Sequence, residues 1–417
     1  MAVGISDIAI YLPRQMIEIQ TVIDHRSLEE DGVKVGKLLT RALKRTGLTS
    51  LHFPKSFEDP VTMAAEATLS LLKRNRFPLS SLRYLATGTE TSVDHSKPLA
   101  SYVMGALKKA QMSLPTTVST FQTQHACAGG TLALLGIAAL LQMTADRKEA
   151  GLVICSDIAR YEKRTSAEVT QGAGSVCLLV ESSPQLIELD LQNAGFCSND
   201  VDDFFRPLGS ETAKVKGSFS IQCYKEAMEG AFLDVAKRKK QSIQDLLKET
   251  DLFALHVPYP NLPLETMHYL LGKYLELSKE DADFFLQERG FFAMTAPAAK
   301  SGNIYSGSLF MSLSFLLEER FKTFGNSLVG KKILLGSYGS GNTLAAIPGV
   351  IAKNAPSVIT SWNLERIFEK ENAPISAYEN WLNKEPLSHK VPSQQEFPVF
   401  ALQNIRSDGY REYHYYT

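Results

Sequence analysis

Short, unbroken apolar runs punctuate this chain, separated by longer stretches with apolar residues at helical spacing. The runs Leu82–Thr87, Gly151–Ser156, Ser175–Val180, Leu252–Val257 and Lys332–Ser337 are continuous rather than alternating, as in strands covered on both faces. Val3, Ile5, Ile8 and Ile10 predict a first strand. Asp59-Pro60 offers an N-cap followed by proline at the first helical position, and Met63, Ala67 and Leu71 continue that helix as a stripe. Thr131–Met143 predicts a very apolar helix opened by Gly129-Gly130, and Ser308–Arg320 another, with Phe310, Leu313 and Leu317 on one side. Strands alternating with helices predict a layered α/β fold.

The order of elements is loosely repeated. Residues 1–184 end their middle strands near Glu90 and Cys127; residues 185–350 end comparable strands near His256 and Gly339. The two stretches are not similar enough to be a sequence repeat. Beyond Val350 the pattern weakens, and 351–417 read as a mixed extension with helices, aromatic at its end (Tyr410, Tyr413, Tyr415, Tyr416).

Composition narrows the possibilities. The 417 residues suit two or three compact units or one large two-part fold. An apolar share of 44% with 21% charged residues is that of a globular protein. A formal net charge of −1 gives no reason to expect nucleic acid or an anionic membrane as the main partner. The N-terminus lacks a basic segment followed by a long apolar one, so no secretory signal is expected. No apolar run reaches the ~20 residues of a membrane helix. The five cysteines are Cys127, Cys155, Cys177, Cys197 and Cys223, with no C-x-x-C pair; reduced thiols in a cytoplasmic compartment are expected.

Cys127 stands in Gln-His-Ala-Cys-Ala-Gly-Gly-Thr, directly before the apolar helix. A helix N-terminus presents free N–H groups and the positive end of the dipole, which would lower the thiol pKa; the bland alternative is an inert buried cysteine. A working nucleophile should come with backbone donors, since one oxyanion-hole donor is worth ~3–4 kcal/mol and full ionisation of a thiol at most ~2 kcal/mol. Gly336-Ser-Tyr-Gly-Ser-Gly341 follows a buried strand and could aim an N–H at a thioester oxygen, or be a plain turn; it is not a P-loop. Glu90, just past a buried strand, would have a raised pKa if shielded from water and could move protons. Asp94 competes for that role, and either residue could be a solvated cap. His256 ends another buried strand, as a pocket donor or a satisfied core histidine. His125, two residues before Cys127, invites a Cys–His pair, but two ligands make a poor metal site, and no metal is expected. Asn303 lies among small residues at a helix entrance. Lys237-Arg-Lys-Lys240 reads as a solvated helix face or a phosphate contact.

Taken together, these segments resemble the 3-hydroxy-3-methylglutaryl-CoA (HMG-CoA) synthase family of thiolase-like condensing enzymes. The resemblance covers about 1–345 and returns at Arg411-Glu-Tyr-His. It is carried by Thr89-Glu90, His125-Ala-Cys127, Asp157-Ile-Ala-Arg-Tyr161, Thr170-Gln-Gly-Ala-Gly174 and Asp200–Pro207, then His256-Val-Pro-Tyr259, Gly302–Ser308 and Ser337-Tyr-Gly339-Ser-Gly341. Each is weak alone; their order and spacing are specific.

The resemblance implies a thiolase-like five-layer αβαβα fold of two similar βαβαβαββ halves, usually dimeric. It implies condensation of acetyl-CoA with acetoacetyl-CoA and water through acetyl-S-Cys127. Glu90 would act as acid and base, and His256 would bind the acetoacetyl-CoA carbonyl. Asn303 and Ser340 would hold the acetoacetyl group, the Ser340 and Cys127 N–H groups would lie near the thioester oxygens, and Tyr161 would line the acetyl pocket. Thr170 and Gly339 belong to the matching substrate-binding segments. No cofactor is implied beyond the CoA thioesters themselves. Two residues depart from the family: His125 replaces a glutamate, and Asn261 stands where a lysine often contacts CoA phosphates. Two alternatives share Glu90, Cys127 and His256. One is a relative acting on β-keto thioesters bound to an acyl carrier protein in polyketide β-branching; the other is a non-catalytic protein that binds acyl-CoA.

Overall fold

A computed structural model describes residues 2–75, 77–383, 392–396 and 398–417. The first half runs β1 (Gly4–Tyr11), α1 (Pro60–Asn75), β2 (Leu82–Gly88), α2 (Leu99–Lys109), β3 (Ser119–Thr123), α3 (Gly129–Met143), β4 (Ala150–Ala159) and β5 (Gly172–Glu181). This is the expected βαβαβαββ order. Helices Ile19–Ser27 and Gly32–Thr46 are inserted between β1 and α1. The second half runs β6 (Ile187–Leu189), β7 (Gly195–Ser198), α4 (Gly217–Arg238), β8 (Leu252–Leu255), α5 (Asn261–Leu275), α6 (Phe291–Ser301), α7 (Ser308–Phe324), β9 (Lys332–Gly339) and β10 (Thr343–Ile351). Where β3 precedes α3 in the first half, the second has the non-strand turn Gly302–Gly307 before α7.

The strands form one sheet in the order β8-β9-β10-β6-β1-β5-β4-β2-β3, with β7 also paired to β10. In the first half β2 pairs in parallel with both β3 and β4, and β5 runs antiparallel between β4 and β1. The halves join where Gly4 and Ile5 of β1 pair with Glu188 and Ile187 of β6.

Side-chain alternation along the strands builds the layers. Leu85, Leu152, Ile154, Cys177 and Leu179 share a core with Leu71 of α1 and Val103 of α2. Their neighbours Ala86, Val153, Cys155, Val176 and Leu178 point the other way, into a core shared by Leu134 and Ile137 of α3, Phe310 and Leu313 of α7, and Ala227 of α4. The apolar helices predicted from Thr131 and Ser308 are thus inner helices, and the arrangement is the thiolase-like αβαβα stack. Ala126–Met143 has the mean hydropathy of a membrane span, 1.8 over 18 residues, yet 56% of it is buried inside the molecule.

The predicted strand runs fall within or close to observed strands, except that the fourth ends at Leu255 and leaves His256 just past its end. β6, β7 and β10 escaped the pattern, and β3 was expected only as a strand ending near Cys127, without bounds. β3 is a polar, half-exposed edge strand, and β10 contains Pro348 and Gly349. Asp59 caps α1 as expected, its Oδ1 accepting the N–H groups of Val61 at 2.9 Å and Thr62 at 3.0 Å.

Within the extension 351–417, residues 384–391 and 397 lie outside the described set. The aromatic end is ordered. Val399–Ile405 and Arg411–Tyr416 form an antiparallel hairpin whose Phe400, Leu402 and Tyr413 join the α1–α2 core. Tyr413 and Arg411 both donate to Asp59 Oδ2, at 2.7 and 3.0 Å. Helix Ile375–Asn383 packs Tyr378 and Trp381 against Phe53.

Candidate active site

Cys127 lies in the turn between β3 and α3. Ala126 before it adopts φ 41°, a left-handed conformation rarely taken by residues with a side chain. A β-carbon at Gly339 would lie 2.3 Å from His125 O and 2.9 Å from Ala128 N, so only glycine lets the end of β9 press against this turn. That contact sets the end of β9, which Ser340 directly follows, against the turn that carries Cys127. Gly88 makes the same allowance on the other side, where a β-carbon would meet Gly130 N at 2.1 Å.

The Cys127 thiol donates to Glu90 Oε1 at 3.5 Å. It is buried in an aromatic cluster with Tyr161, Phe204 and Tyr305, whose rings stand edge-on with centroids 5.8–6.3 Å apart. Burial pushes the thiol well above its ordinary pKa, the charges of Glu90 and Asp157 add to this, and Arg206 opposes it. This runs against the expectation of a thiol acidified at the helix tip: burial and two nearby carboxylates push it the other way. A thiol with a raised pKa becomes a better nucleophile when a neighbouring group takes its proton, and a carboxylate is already hydrogen-bonded to this sulfur.

Glu90 is that group. Its side chain is 6% exposed, and burial raises its pKa to about 7 against the pull of Arg206. Asp94, the competing carboxylate, is a surface cap: it accepts from the N–H groups of Ser96 and Lys97, and those bonds hold its pKa low.

Glu90 is held in place by Asp157, which is fully buried. Asp157 Oδ1 accepts from the Thr89 hydroxyl (2.7 Å), the Thr91 hydroxyl (2.7 Å) and the Glu90 N–H (3.0 Å). Its Oδ2 accepts from the Ser306 hydroxyl and, at 3.2 Å, the Ser306 N–H. One carboxylate thereby ties the loop after β2 to the turn before α7, fastening one half's contribution to the other's.

The same turn carries the remaining candidates. Asn303 is buried, and its Oδ1 accepts the Tyr305 N–H at 2.8 Å, which directs its amide nitrogen away from the turn. Two residues past Ser306, the Ser308 hydroxyl lies 2.7 Å from His256 Nδ1. His256 is buried, and the resulting desolvation lowers its pKa to about 3, so the ring is neutral. Ser306 thus bonds to Asp157, which also accepts the Glu90 N–H, and Ser308, two residues on, bonds to His256.

Other predicted residues are placed differently. The Tyr161 N–H donates to Gln171 Oε1 at 3.1 Å. The Thr170 hydroxyl donates to Ala167 O within its own turn and makes no hydrogen bond to Cys127, Glu90 or His256. Among the described residues His125 has no hydrogen bond to Cys127; burial lowers its pKa. Asn261 donates to Arg45 O at 2.7 Å, joining α5 to the end of helix Gly32–Thr46. No group of three His, Cys, Asp or Glu side chains suited to a metal occurs among the described residues.

Arg206, inside a matching segment, was assigned no role from sequence. It pairs with Glu90 Oε2 at 3.2 Å and reaches Tyr305 Oη at 3.4 Å. Only its place in Asp200–Pro207 pointed to it. A cavity of about 1680 Å³ opens beside Glu90, with Ala126, Phe204, Arg206 and Ser340 also in its lining and Trp381 of the extension on its wall; Cys127, Tyr161, His256 and Asn303 are not among the residues that line it.

On this five-layer scaffold, a thiol bonded to a buried carboxylate where the two halves meet marks the thiolase-like condensing class. The HMG-CoA synthase N-terminal family model matches residues 1–184 and the C-terminal model residues 187–271. A hydroxymethylglutaryl-CoA synthase of Dictyostelium discoideum is 29% identical, over 99% of this chain and 90% of its own. The solved structure of MvaS in complex with 3-hydroxy-3-methylglutaryl coenzyme A superposes with a TM-score of 0.85 at 30% identity, covering 99% of both chains. The PksG HMG-CoA synthase of Bacillus subtilis also reaches 0.85 over all of both chains, but at 20% identity it speaks for the fold alone. The chain belongs to the HMG-CoA synthase family.

Proposed function

We infer that this protein is an acyltransferase that condenses acetyl-CoA with acetoacetyl-CoA and water, giving 3-hydroxy-3-methylglutaryl-CoA and CoA, the reaction of the mevalonate pathway. The observation that carries this reading is the hydrogen bond from the Cys127 thiol to Glu90 Oε1 beside a cavity large enough for a CoA thioester. A carboxylate with a pKa of about 7 is close to the best compromise between accepting and returning a proton at neutral pH.

Glu90 takes the thiol proton as sulfur attacks acetyl-CoA; the C–S bond to CoA breaks, and acetyl-S-Cys127 forms. Glu90 passes that proton to the departing CoA sulfur, which leaves as the free thiol, and, ionised again, removes one from the acetyl methyl. The resulting enolate attacks the acetoacetyl ketone, and Glu90 returns the proton to the new alkoxide. Water then cleaves the enzyme thioester. The Ser340 and Cys127 N–H groups serve the thioester oxygens, a role supported by the close packing of Gly339 on the Cys127 turn. Asn303 and His256 receive the acetoacetyl group, and Tyr161 walls the acetyl pocket. Thr170 and Gly339 belong to the segments that bind substrate.

We also propose a homodimer in a reducing, cytoplasmic compartment. The free thiols of all five cysteines support the compartment. The edge strand β3, paired on one side only within the sheet, supports the dimer.

The test is product identification after mixing the protein with acetyl-CoA and acetoacetyl-CoA. HMG-CoA formation, with an acetyl adduct on Cys127 in acetyl-CoA alone, is the expected result. Reaction only with carrier-protein thioesters would move the chain to the β-branching reading, and no adduct at all would reduce it to an acyl-CoA binder.

A further inference from the structure

His256 is fastened by its own backbone before its ring does anything. Its N–H donates to Gly336 O at 2.7 Å, and its carbonyl accepts from the Tyr224 hydroxyl at 2.7 Å. The imidazole then has a single polar neighbour at hydrogen-bond distance among the described residues, the Ser308 hydroxyl, 2.7 Å from Nδ1.

Ser308 is the first residue of α7 and is 1% exposed. Its Oγ already accepts the Val257 N–H at 3.4 Å. A hydroxyl has one hydrogen to place. The acceptor within reach is His256 Nδ1. The opposite arrangement, with Nδ1–H donating to Oγ, would put two donors on the oxygen and leave the hydroxyl hydrogen buried without an acceptor, at a cost of ~1–3 kcal/mol.

We propose that Ser308 is a positioning residue for the condensation step: its hydroxyl proton occupies His256 Nδ1 and thereby fixes the neutral imidazole as the Nε2–H tautomer. The ring's free edge is then a hydrogen-bond donor, as an acceptor carbonyl requires when negative charge develops on its oxygen. With Nδ1 protonated instead, Nε2 would present a lone pair to that oxygen and repel it. The start of α7 adds to the effect, because the positive end of a helix opposes a second proton on the ring. His256 acts in this account as a fixed donor and exchanges no proton with substrate; proton transfer stays with Glu90. The inference rests on His256 being the residue that receives the acetoacetyl carbonyl.

The test separates the two ideas. In the full-length protein with ¹⁵N-labelled histidine, the His256 signals, assigned by their loss in His256→Gln, should show a protonated Nε2 and an unprotonated Nδ1. A protonated Nδ1 overturns the proposal whatever His256 does. In kinetics, Ser308→Ala should lower kcat/KM for acetoacetyl-CoA at least about tenfold, while acetylation of Cys127 by acetyl-CoA proceeds at the wild-type rate. Ser308→Thr, which keeps a hydroxyl on the same carbon, should restore most of the loss. Wild-type condensation in Ser308→Ala overturns the proposal. If Ser308→Ala does not fold, the spectrum of the wild-type protein decides alone. If His256→Gln itself condenses normally, the reading of His256 fails instead, and the tautomer measurement still stands.

Discussion

Arg206 lies 3.2 Å from the Glu90 carboxylate and donates through its other terminal nitrogen to the Glu90 carbonyl oxygen at 2.6 Å. One guanidinium thus sets both the position and the charge of the proposed base. Without it, desolvation and Asp157 would hold Glu90 protonated further into the alkaline range. Arg206→Met should move the acid limb of the Cys127 acetylation rate to higher pH and cut that rate at pH 7 by about tenfold, the equivalent of ~1.4 kcal/mol. Stopped-flow acetylation across pH 5–9 reads both. An unchanged limb would remove Arg206 from control of Glu90.

Glu90→Ala separates two demands on the same carboxylate. The thiol can pass its proton to water, so acetylation should slow but still go to completion. Deprotonation of the acetyl methyl is assigned to Glu90 alone, so HMG-CoA formation should fall by about 10²–10⁴. Mass measurement of the acetyl-enzyme alongside product analysis checks the split.

Asp157 has both oxygens filled by donors from two halves of the chain. Asp157→Asn turns one acceptor into a donor facing hydroxyls and N–H groups. We expect a loss of about 3 kcal/mol of stability in denaturant titration and slowed acetylation, because Glu90 loses its anchor. Loss of stability with wild-type acetylation would limit Asp157 to the fold.

His256 makes stability depend on pH. Its folded pKa of about 3 lies below the ordinary histidine value of 6.5, so below pH 6.5 the unfolded chain binds a proton that the folded chain refuses. Its contribution is intact above pH 6.5 and declines as pH falls toward 3, by up to about 1.4 kcal/mol per pH unit. His256→Gln should flatten the acid side of the stability–pH curve by the slope of one proton. An unchanged slope would show that the ring takes up its proton while folded.

The C-terminal extension touches the site from behind. Gln171 accepts the Tyr161 N–H and donates to the Tyr378 hydroxyl, and Trp381 faces the Arg160 guanidinium at 5.0 Å. Tyr378→Phe should cost about 1 kcal/mol and raise the KM for acetyl-CoA more than it lowers kcat. A change in stability alone would leave the extension with a purely structural role.

Much of this was legible from the residues themselves. Continuous apolar runs identified the buried strands, because a strand covered on both faces cannot afford polar positions. The helices singled out as apolar from Thr131 and Ser308 proved to be the inner layer for the same reason. Glycine-flanked Cys127 and strand-terminal Glu90 and His256 stood out because reactive groups need an ordered element to hold them and an open end to face substrate. The edge strand Ser119–Thr123 did not stand out, because half-exposed strands carry the polar residues of loops.

What the linear chain determined, then, was the set of elements and the chemical types at their ends. Tertiary structure decided the charges and protons. The Cys127 pKa runs opposite to the helix-tip expectation because burial and two carboxylates, one of them 30 residues further along the chain, push it up. The Glu90 carboxyl is pushed up because burial outweighs the pull of Arg206, whereas Asp94, four residues away, is held low by the N–H groups of Ser96 and Lys97. Local sequence records which groups are present; Coulomb forces and desolvation act through space, and only the folded chain sets those distances.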